Sequence, residues 1–243
     1  MFAAKADIIA QLRRDILPLQ GLRSTLRIPQ LDTGLGVLRY AFPNASFPLG
    51  VVHEFCYNNI EQATASCGFI AGVLSMLMRE EGVSLWISSS RILFPPALKA
   101  FGIAAEKIIF LDLQKEKHVL WAMEEALKCD GIATVIAETR QINFTASRRL
   151  QLAAEQNSVT GFILHPSQYS PNATACVTRW SITPLSSILD DNTPGVGFPR
   201  WNVELLKVRN GKPGAWEIEW AGSGFRHISK TTSMPPEQQK KTG

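Results

Sequence analysis

The segment from residue 48 to residue 78 has the strand, loop and helix order of a phosphate-binding loop but lacks the residues that bind phosphate. Such loops carry G-x-x-x-x-G-K-[ST], whose backbone amides and lysine hold the phosphates of a nucleotide. The corresponding loop, predicted from Tyr57 to Phe69, contains one glycine and no lysine, and Glu61 would repel phosphate. The sequence therefore predicts a nucleotide-binding type of fold that binds no nucleotide, with no cofactor and no catalytic residue.

The cysteines and histidines show no spacing typical of a metal or nucleophile site. The four cysteines, Cys56, Cys67, Cys129 and Cys176, form no C-x-x-C pair and have no histidine at ligand spacing, so reduced thiols and no metal are predicted. His53 and His165 fall at strand ends with no evident nucleophile, which favours structural roles. Glu138 also ends a strand, where it is expected to cap a loop or pair with Arg140 rather than face a ligand.

Length and composition are those of a globular protein. The 243 residues allow one large α/β domain, and 45% apolar with 19% charged residues is ordinary for such a domain. A net charge of +4 permits a nucleic-acid partner without indicating one. The beginning of the sequence has no apolar core of a signal peptide, and no run of about 18 apolar residues occurs. We therefore expect a cytoplasmic protein that does not contact a membrane.

The hydrophobic pattern predicts an α/β fold with a mostly parallel sheet flanked by helices, antiparallel strands at the end and an N-terminal helix. Helices are expected over residues 5–20, 68–78, 95–101, 117–128 and 145–156, and strands over 48–55, 83–88, 107–112, 131–137, 159–164, 173–183, 201–209 and 215–220. Asn210-Gly211 marks a hairpin turn between the last two strands. The expected organisation is an N-terminal helix and connection over 1–30, one domain over 31–229 and a disordered tail over 230–243.

This order of elements resembles the RecA family. The resemblance rests on DTGLG from Asp32, followed by PLGVVHE from Pro48, and on the late runs from Arg179 to Ile182 and from Val203 to Lys212. It implies a RecA-like core. Two further RecA features are altered: Ser88-Ser89-Ser90 stands where such ATPases place a catalytic glutamate, and His165-Pro166 replaces a nucleotide-sensing glutamine. Together with the missing lysine, these departures favour a non-catalytic protein.

Within that superfamily the sequence resembles the ImuA family of error-prone repair proteins. The residues that point there are SRRLQLAAE from Ser147, the strand around Arg179 and PGVGFPRW from Pro194. The resemblance implies a role in damage-induced translesion synthesis. It also implies two partners, an inactive Y-family polymerase homologue and an error-prone C-family DNA polymerase, with RecA and single-stranded DNA as further candidates.

The resemblance suggests which residues contact DNA, because the loops after two late core strands of RecA-like proteins face the DNA. The candidate DNA contacts are Arg140, Arg148, Arg149, Gln168 and Tyr169. Arginine would pair with phosphate and tyrosine could stack on a base. The alternative for the adjacent arginines is salt bridges to neighbouring acids, and their place near a helix start opposes the helix dipole.

Two further sets are candidate partner contacts. Ile8, Leu12 and Ile16 lie on the apolar stripe of the N-terminal helix, which packs either on a partner or on the chain's own core. Lys207, Arg209 and Lys212 lie on or beside the hairpin, where the alternative is a solvated edge that discourages strand pairing. Of Trp180, Trp201, Trp216 and Trp220, three are expected in the core, and one left on the hairpin would be an interface anchor.

Three functions remain open from the sequence. The first is a mutasome adaptor that bridges polymerase components. The second is a cell-division inhibitor of the SulA type, which is also RecA-like and lacks a phosphate loop. The third is a RecA-type DNA-dependent ATPase, against which the missing lysine argues.

Overall fold

The structure, a computed structural model, describes residues 35–78, 82–167, 173–188 and 197–228. Within these residues the strands are β1 Val52–Tyr57, β2 Val83–Ser88, β3 Ile108–Asp112, β4 Ile132–Glu138, β5 Thr160–Pro166, β6 Thr178–Leu185, β7 Arg200–Val208, β8 Gly214–Ala221 and β9 Gly224–His227. The α-helices are α1 Ile60–Leu77, α2 Glu116–Ala126 and α3 Phe144–Asn157. Short 3₁₀ helices span Gly36–Ala41, Pro43–Ala45, Pro95–Phe101 and Ala105–Lys107.

All of these strands belong to one sheet, in the order β3-β2-β4-β5-β1-β6-β7-β8-β9. The first six in that order are parallel to one another, and the pairs from β6 to β9 are antiparallel. This confirms the predicted α/β class with antiparallel strands at the end. The parallel strands from β1 to β5 are joined by helices because a parallel pair needs a crossover, whereas β7, β8 and β9 are joined by short turns.

Two hairpins build the antiparallel half of the sheet. The predicted turn at Asn210-Gly211 is confirmed, and Asn210 has the positive φ of 58° that such a turn favours. The second hairpin joins β8 to β9 through Gly222 and Ser223, which have φ of 58° and 67°. Two consecutive residues with positive φ match the right-handed twist of the flanking strands. The sequence interpretation missed β9 because it overlooked this two-residue turn.

Helix α1 packs closely against the antiparallel half of the sheet. Its Gly68 and Gly72 face the sheet, and a Cβ atom on Gly72 would lie 2.6 Å from the ring of Phe225. The approach therefore needs glycine at this position, although glycine costs about 1 kcal/mol in a helix interior. Among the described residues one helix, α1, is long and apolar enough to cross a membrane, yet 61% of it is buried inside the fold. Helix α1 is therefore a core helix that packs on one face of the sheet.

The core has a layer on each face of the sheet. On the α1 side, Trp180 is fully buried and stacks on Phe55 with ring centroids 5.9 Å apart. On the other side, α2 and α3 cover the parallel strands. Of the four tryptophans considered above, Trp180, Trp201 and Trp220 are buried, and Trp216 is partly buried, so the expectation of three core tryptophans is confirmed.

Candidate functional site at the carboxyl edge of the parallel strands

The connection from β1 to α1 has two residues, so the prediction of a loop from Tyr57 to Phe69 was wrong. Helix α1 begins at Ile60, capped by Asn59, whose side chain accepts a hydrogen bond from the amide of Gln62 at 2.9 Å. Gln62 Oε1 accepts in return from the amide of Asn58 at 2.8 Å. These reciprocal bonds use amides that a phosphate-binding loop offers to its ligand. The Asn-x-x-Gln spacing was the available signal for this helix start.

An apolar cavity of about 540 Å³ lies beside the start of α1. It is bounded by α1, by the Pro95–Phe101 helix and the residues before it, by the end of β6 and by the start of β7. Its lining includes Phe94, Leu98, Gly68, Pro184 and Trp201. The charged residue in its lining is Glu61. Apolar walls with one carboxylate suit an apolar ligand or side chain and oppose a polyphosphate.

Glu138 is buried at the end of β4 and caps the loop that follows β2. Its Oε1 accepts from Trp86 Nε1 at 2.8 Å and from the amide of Leu93 at 3.4 Å. Its Oε2 accepts from Ser88 Oγ at 2.5 Å and from the amide of Ile92 at 3.0 Å. The loop-capping alternative is therefore confirmed. The other alternative, pairing with Arg140, is not observed among the described residues: Arg140 is exposed at the surface, whereas Glu138 is buried.

A second buried carboxylate, Glu54 on β1, contacts a histidine on one neighbouring strand, β5, and an arginine on the other, β6. His165 Nε2 lies 2.9 Å from Glu54 Oε1, and Arg179 Nε donates to Oε2 at 2.9 Å. Cys56 Sγ lies 3.6 Å from the same His165 Nε2. Burial would raise the pKa of Glu54, but hydrogen bonds from His165 and Arg179 outweigh it and lower that pKa. Burial would likewise lower the pKa of His165, but hydrogen bonds with Cys56 and Glu54 raise it.

His53, on the opposite face of β1, has a structural role, as predicted. Its Nδ1 lies 2.7 Å from Thr178 Oγ1 and its Nε2 lies 2.9 Å from the carbonyl oxygen of Pro48. The imidazole ring also stacks on the ring of Phe47, with ring centroids 4.5 Å apart. Complete burial lowers the pKa of His53 to about 3, so the imidazole is neutral at physiological pH.

The structure places the candidate DNA contacts on exposed parts of the loop after β4 and of α3. Arg140, Arg148 and Arg149 are exposed. The side chain of Arg149 pairs with Glu124 on α2, as the salt-bridge alternative expected, whereas Arg148 has no acidic partner among the described residues. Gln168 and Tyr169 lie outside the described residues.

Helix α3 also starts earlier than predicted. It begins at Phe144 rather than at residue 145, capped by Asn143, whose side chain accepts a hydrogen bond from the amide of Ala146 at 2.8 Å. Arg148 and Arg149 therefore lie in the second turn, where the dipole of the helix has largely decayed. The position of the two arginines relative to the helix start therefore does not by itself indicate a functional partner.

Two of the three basic candidate residues of the hairpin, Lys207 and Arg209, donate side-chain hydrogen bonds to backbone carbonyls of the same chain. Lys207 Nζ donates to the carbonyl of Thr174 at 2.8 Å, and Arg209 donates to the carbonyl of Ala175 at 3.1 Å. Both cations hold the segment that precedes β6, and Lys212 is exposed in the turn. The other candidate partner contacts, Ile8, Leu12 and Ile16, lie outside the described residues.

The sequence analysis did not single out two exposed aromatic side chains, Trp121 and Phe110, or the exposed aliphatic side chain of Ile109. Trp121 on α2 is 62% exposed, and Ile109 and Phe110 are exposed on β3, the edge strand of the sheet. The run of apolar residues in β3 is typical of a parallel strand that is buried on both faces. Its position at the edge, which depends on strand order, exposes it.

Comparisons with known proteins identify the family. The chain is 33% identical over 219 residues to Protein ImuA of Caulobacter vibrioides, which covers 83% of this chain and 90% of that protein. It is 27% identical over 147 residues to the cell division inhibitor SulA of Photorhabdus laumondii, covering 57% of this chain and 83% of SulA. No family model matches the chain.

Among solved structures, the RadB recombinase has the same fold. The superposition has a TM-score of 0.52 and covers 76% of this chain and 93% of that chain, at 12% sequence identity. A likeness at this identity concerns the fold alone, and it confirms the RecA-like architecture expected from the sequence. The extent and level of the sequence identity to the Caulobacter protein establish the closer relationship: the chain belongs to the ImuA family.

Proposed function

We propose that this chain is a non-catalytic RecA-like accessory protein of damage-induced, error-prone translesion DNA synthesis, and that it acts in the cytoplasm. Membership of the ImuA family supports a role connected with DNA damage. The observation that supports the absence of catalytic activity is the two-residue connection between β1 and α1. Such a connection is too short to wrap a triphosphate in backbone amides, as a phosphate-binding loop does.

Two other features of the same edge support the absence of ATPase activity. The loop after β2 offers serines rather than a carboxylate, and the carboxylate that approaches it, Glu138, accepts hydrogen bonds from that loop. Glu138 is buried, so it has no access to a nucleotide or an attacking water. At the end of β5, His165 is bound to Glu54 and Cys56 rather than directed to the solvent.

The chain is expected to show no binding of ATP in the micromolar range. The helix start is capped internally, no lysine is placed to hold the outer phosphates, and Glu61 adds repulsion. Isothermal titration calorimetry with ATP and Mg²⁺ is the measurement, with a RecA-type ATPase titrated under the same conditions as the positive control. A dissociation constant in the low micromolar range would contradict the proposal and favour the ATPase alternative.

In this proposal the chain works through surfaces that bridge other proteins. Its partners are an inactive Y-family polymerase homologue and an error-prone C-family DNA polymerase, with RecA and single-stranded DNA as additional partners. The support for these partners is the resemblance to the ImuA family. The N-terminal segment with Ile8, Leu12 and Ile16 is the proposed docking element, since its apolar stripe is suited to packing on another protein.

If the chain binds single-stranded DNA through α3, the double variant Arg148→Ala and Arg149→Ala should weaken that binding and its dependence on salt. Each lost phosphate contact should reduce the slope of log affinity against log salt concentration by about 0.7. Fluorescence anisotropy of a labelled oligonucleotide at several salt concentrations measures both quantities. Lys128→Ala, which removes an exposed lysine paired with Glu124 and Glu125 on α2, is the matched control.

The outcome also separates the two arginines. Because Arg149 already pairs with Glu124, most of the loss should come from Arg148→Ala alone. Unchanged affinity and slope in a folded double variant would assign both residues to structural roles.

A cell-division inhibitor is the second candidate function, because the similarity to SulA extends over 57% of this chain. Capture of proteins by the tagged chain from damaged cells distinguishes the two candidates. Recovery of polymerases supports the adaptor, and recovery of a tubulin-like division protein supports the inhibitor.

A further inference from the structure

Three side chains with metal-binding atoms converge inside the sheet, on the face covered by α3. They are Cys56 and Glu54, which are two residues apart on β1, and His165, which lies beside Cys56 on β5. One ligand atom of each, Sγ, a carboxylate oxygen and an imidazole nitrogen, all lie within 4.8 Å of one another. Glu54 and His165 are fully buried, and Cys56 is 7% exposed.

The hydrogen bonds of His165 require a cation at this point. Its Nδ1 lies 3.0 Å from the carbonyl oxygen of Pro166, which can only accept, so Nδ1 carries the hydrogen. In the neutral ring, Nε2 would then present a lone pair to the carboxylate oxygen of Glu54 at 2.9 Å. Two facing lone pairs in a buried site repel each other. Either a proton or a metal ion must therefore lie between Nε2 and Oε1.

The partners of these residues orient them in the way that metal ligands are oriented. The bond from Nδ1 to Pro166 directs Nε2 inwards, as in sites where a ligating histidine donates its other N–H to a carbonyl. Thr174 Oγ1 and Arg179 Nε donate to Glu54 Oε2 at 2.6 Å and 2.9 Å. Oε1 is left facing His165, with a longer contact of 3.3 Å to Arg179.

The distances suit a tetrahedral ion of the size of zinc. Zinc bonds of about 2.3 Å to sulfur and 2.0 Å to nitrogen or oxygen place tetrahedral N and S ligands about 3.5 Å apart, and N and O ligands about 3.3 Å apart. Here Nε2 lies 3.6 Å from Sγ and 2.9 Å from Oε1. Both distances are within about 0.4 Å of the tetrahedral values, and the distance from Sγ to the carboxylate oxygen is at most 4.8 Å. A thiolate, an imidazole and a carboxylate together select zinc over magnesium or calcium.

The neighbouring cations restrict how such an ion could bind. Arg179 contacts Glu54, and Lys207 lies nearby on the carbonyl of Thr174, so an added divalent charge would be repelled. If the ion replaces two protons, one from His165 Nε2 and one from Cys56 Sγ, the net charge of the cluster does not change. We propose that Glu54, Cys56 and His165 form a buried zinc site with three protein ligands.

The full-length chain, purified from cells grown with zinc, is expected to contain about one zinc per chain by inductively coupled plasma spectrometry. Refolding it with CoCl₂ should produce a sulfur-to-cobalt charge-transfer band, because Cys56 supplies a thiolate ligand. Cys56→Ser and His165→Gln should each weaken zinc affinity at least about 100-fold, more than is typical for loss of an outer-shell partner. The controls are Cys129→Ser, which removes the exposed thiol, and Cys67→Ser, which removes a buried thiol on α1.

Each result bears on the proposal. Retained zinc in both controls and its loss in the two ligand variants support it. The cobalt spectrum of the unaltered chain requires no variant to fold. A folded chain that contains no zinc and shows no sulfur-to-cobalt band overturns the proposal and leaves a proton between His165 and Glu54. Zinc binding that Cys129→Ser abolishes and Cys56→Ser preserves also overturns it, because the ion is then on the surface.

Discussion

Glu138→Ala is expected to lower the free energy of unfolding by about 3–5 kcal/mol. The carboxylate of Glu138 holds the loop that follows β2. The substitution removes the acceptor for the indole of Trp86 and for the amides of Ile92 and Leu93. Each buried donor left without a partner costs about 1–3 kcal/mol, and the costs are not fully additive. For a chain of this length, the loss corresponds to a fall in melting temperature of roughly 10 °C.

Thermal and urea denaturation monitored by circular dichroism measure this change. Glu138→Gln separates the shape of the side chain from its capacity to accept hydrogen bonds. The amide has nearly the same shape, but it keeps only one oxygen and turns an NH₂ group towards the loop. It should also destabilise the protein. Glu106→Ala, at an exposed glutamate, is the control and should change stability by less than about 0.5 kcal/mol. A melting temperature of Glu138→Ala equal to that of the control would show that the loop does not depend on this carboxylate.

Removal of residues 1–22 is expected to abolish association with the polymerase homologue, or with a second copy of the chain, while leaving a folded core. The reason is that the sequence predicts an amphipathic helix over residues 5–20 with its apolar stripe suited to a partner. The described residues from 35 onwards form one sheet with helices and a buried cluster on each of its faces. Size-exclusion chromatography with light scattering, together with a pulldown of the purified polymerase homologue, measures the association.

A single substitution tests the stripe without removing the segment. Leu12→Glu puts a charge among Ile8, Leu12 and Ile16, with little change in helix propensity, and should reduce association at least about 10-fold, equivalent to about 1.4 kcal/mol. Arg14→Glu introduces the same side chain on the opposite side of the predicted helix and is the matched control. A truncated chain that aggregates or melts without a transition would show that the segment belongs to the core. A truncated chain that still binds would place the interface elsewhere, with the hairpin from Trp201 to Trp220 as the next candidate.

The alternation of strands and helices was readable from the sequence because it follows from local chemistry. Apolar runs such as that of β4 predicted parallel strands, and Asn210-Gly211 predicted the hairpin by its preference for positive φ. The change from helix-linked to turn-linked strands after β5 predicted the antiparallel half. Element ends were less accurate. Asn59 and Asn143 cap helices that the hydrophobic pattern had started later.

The chemistry of this protein depends on contacts between residues distant in sequence, which only the tertiary structure shows. The sequence alone established the missing lysine and, through its resemblance, predicted membership of the ImuA family. It could not show that Glu138 holds a loop 46 residues away, or that His165 lies beside Cys56, 109 residues earlier. Both contacts arise because parallel strands from separate parts of the chain end at the same edge of the sheet. Strand order and register decide which side chains meet there, and those depend on the packing of the whole sheet rather than on local spacing.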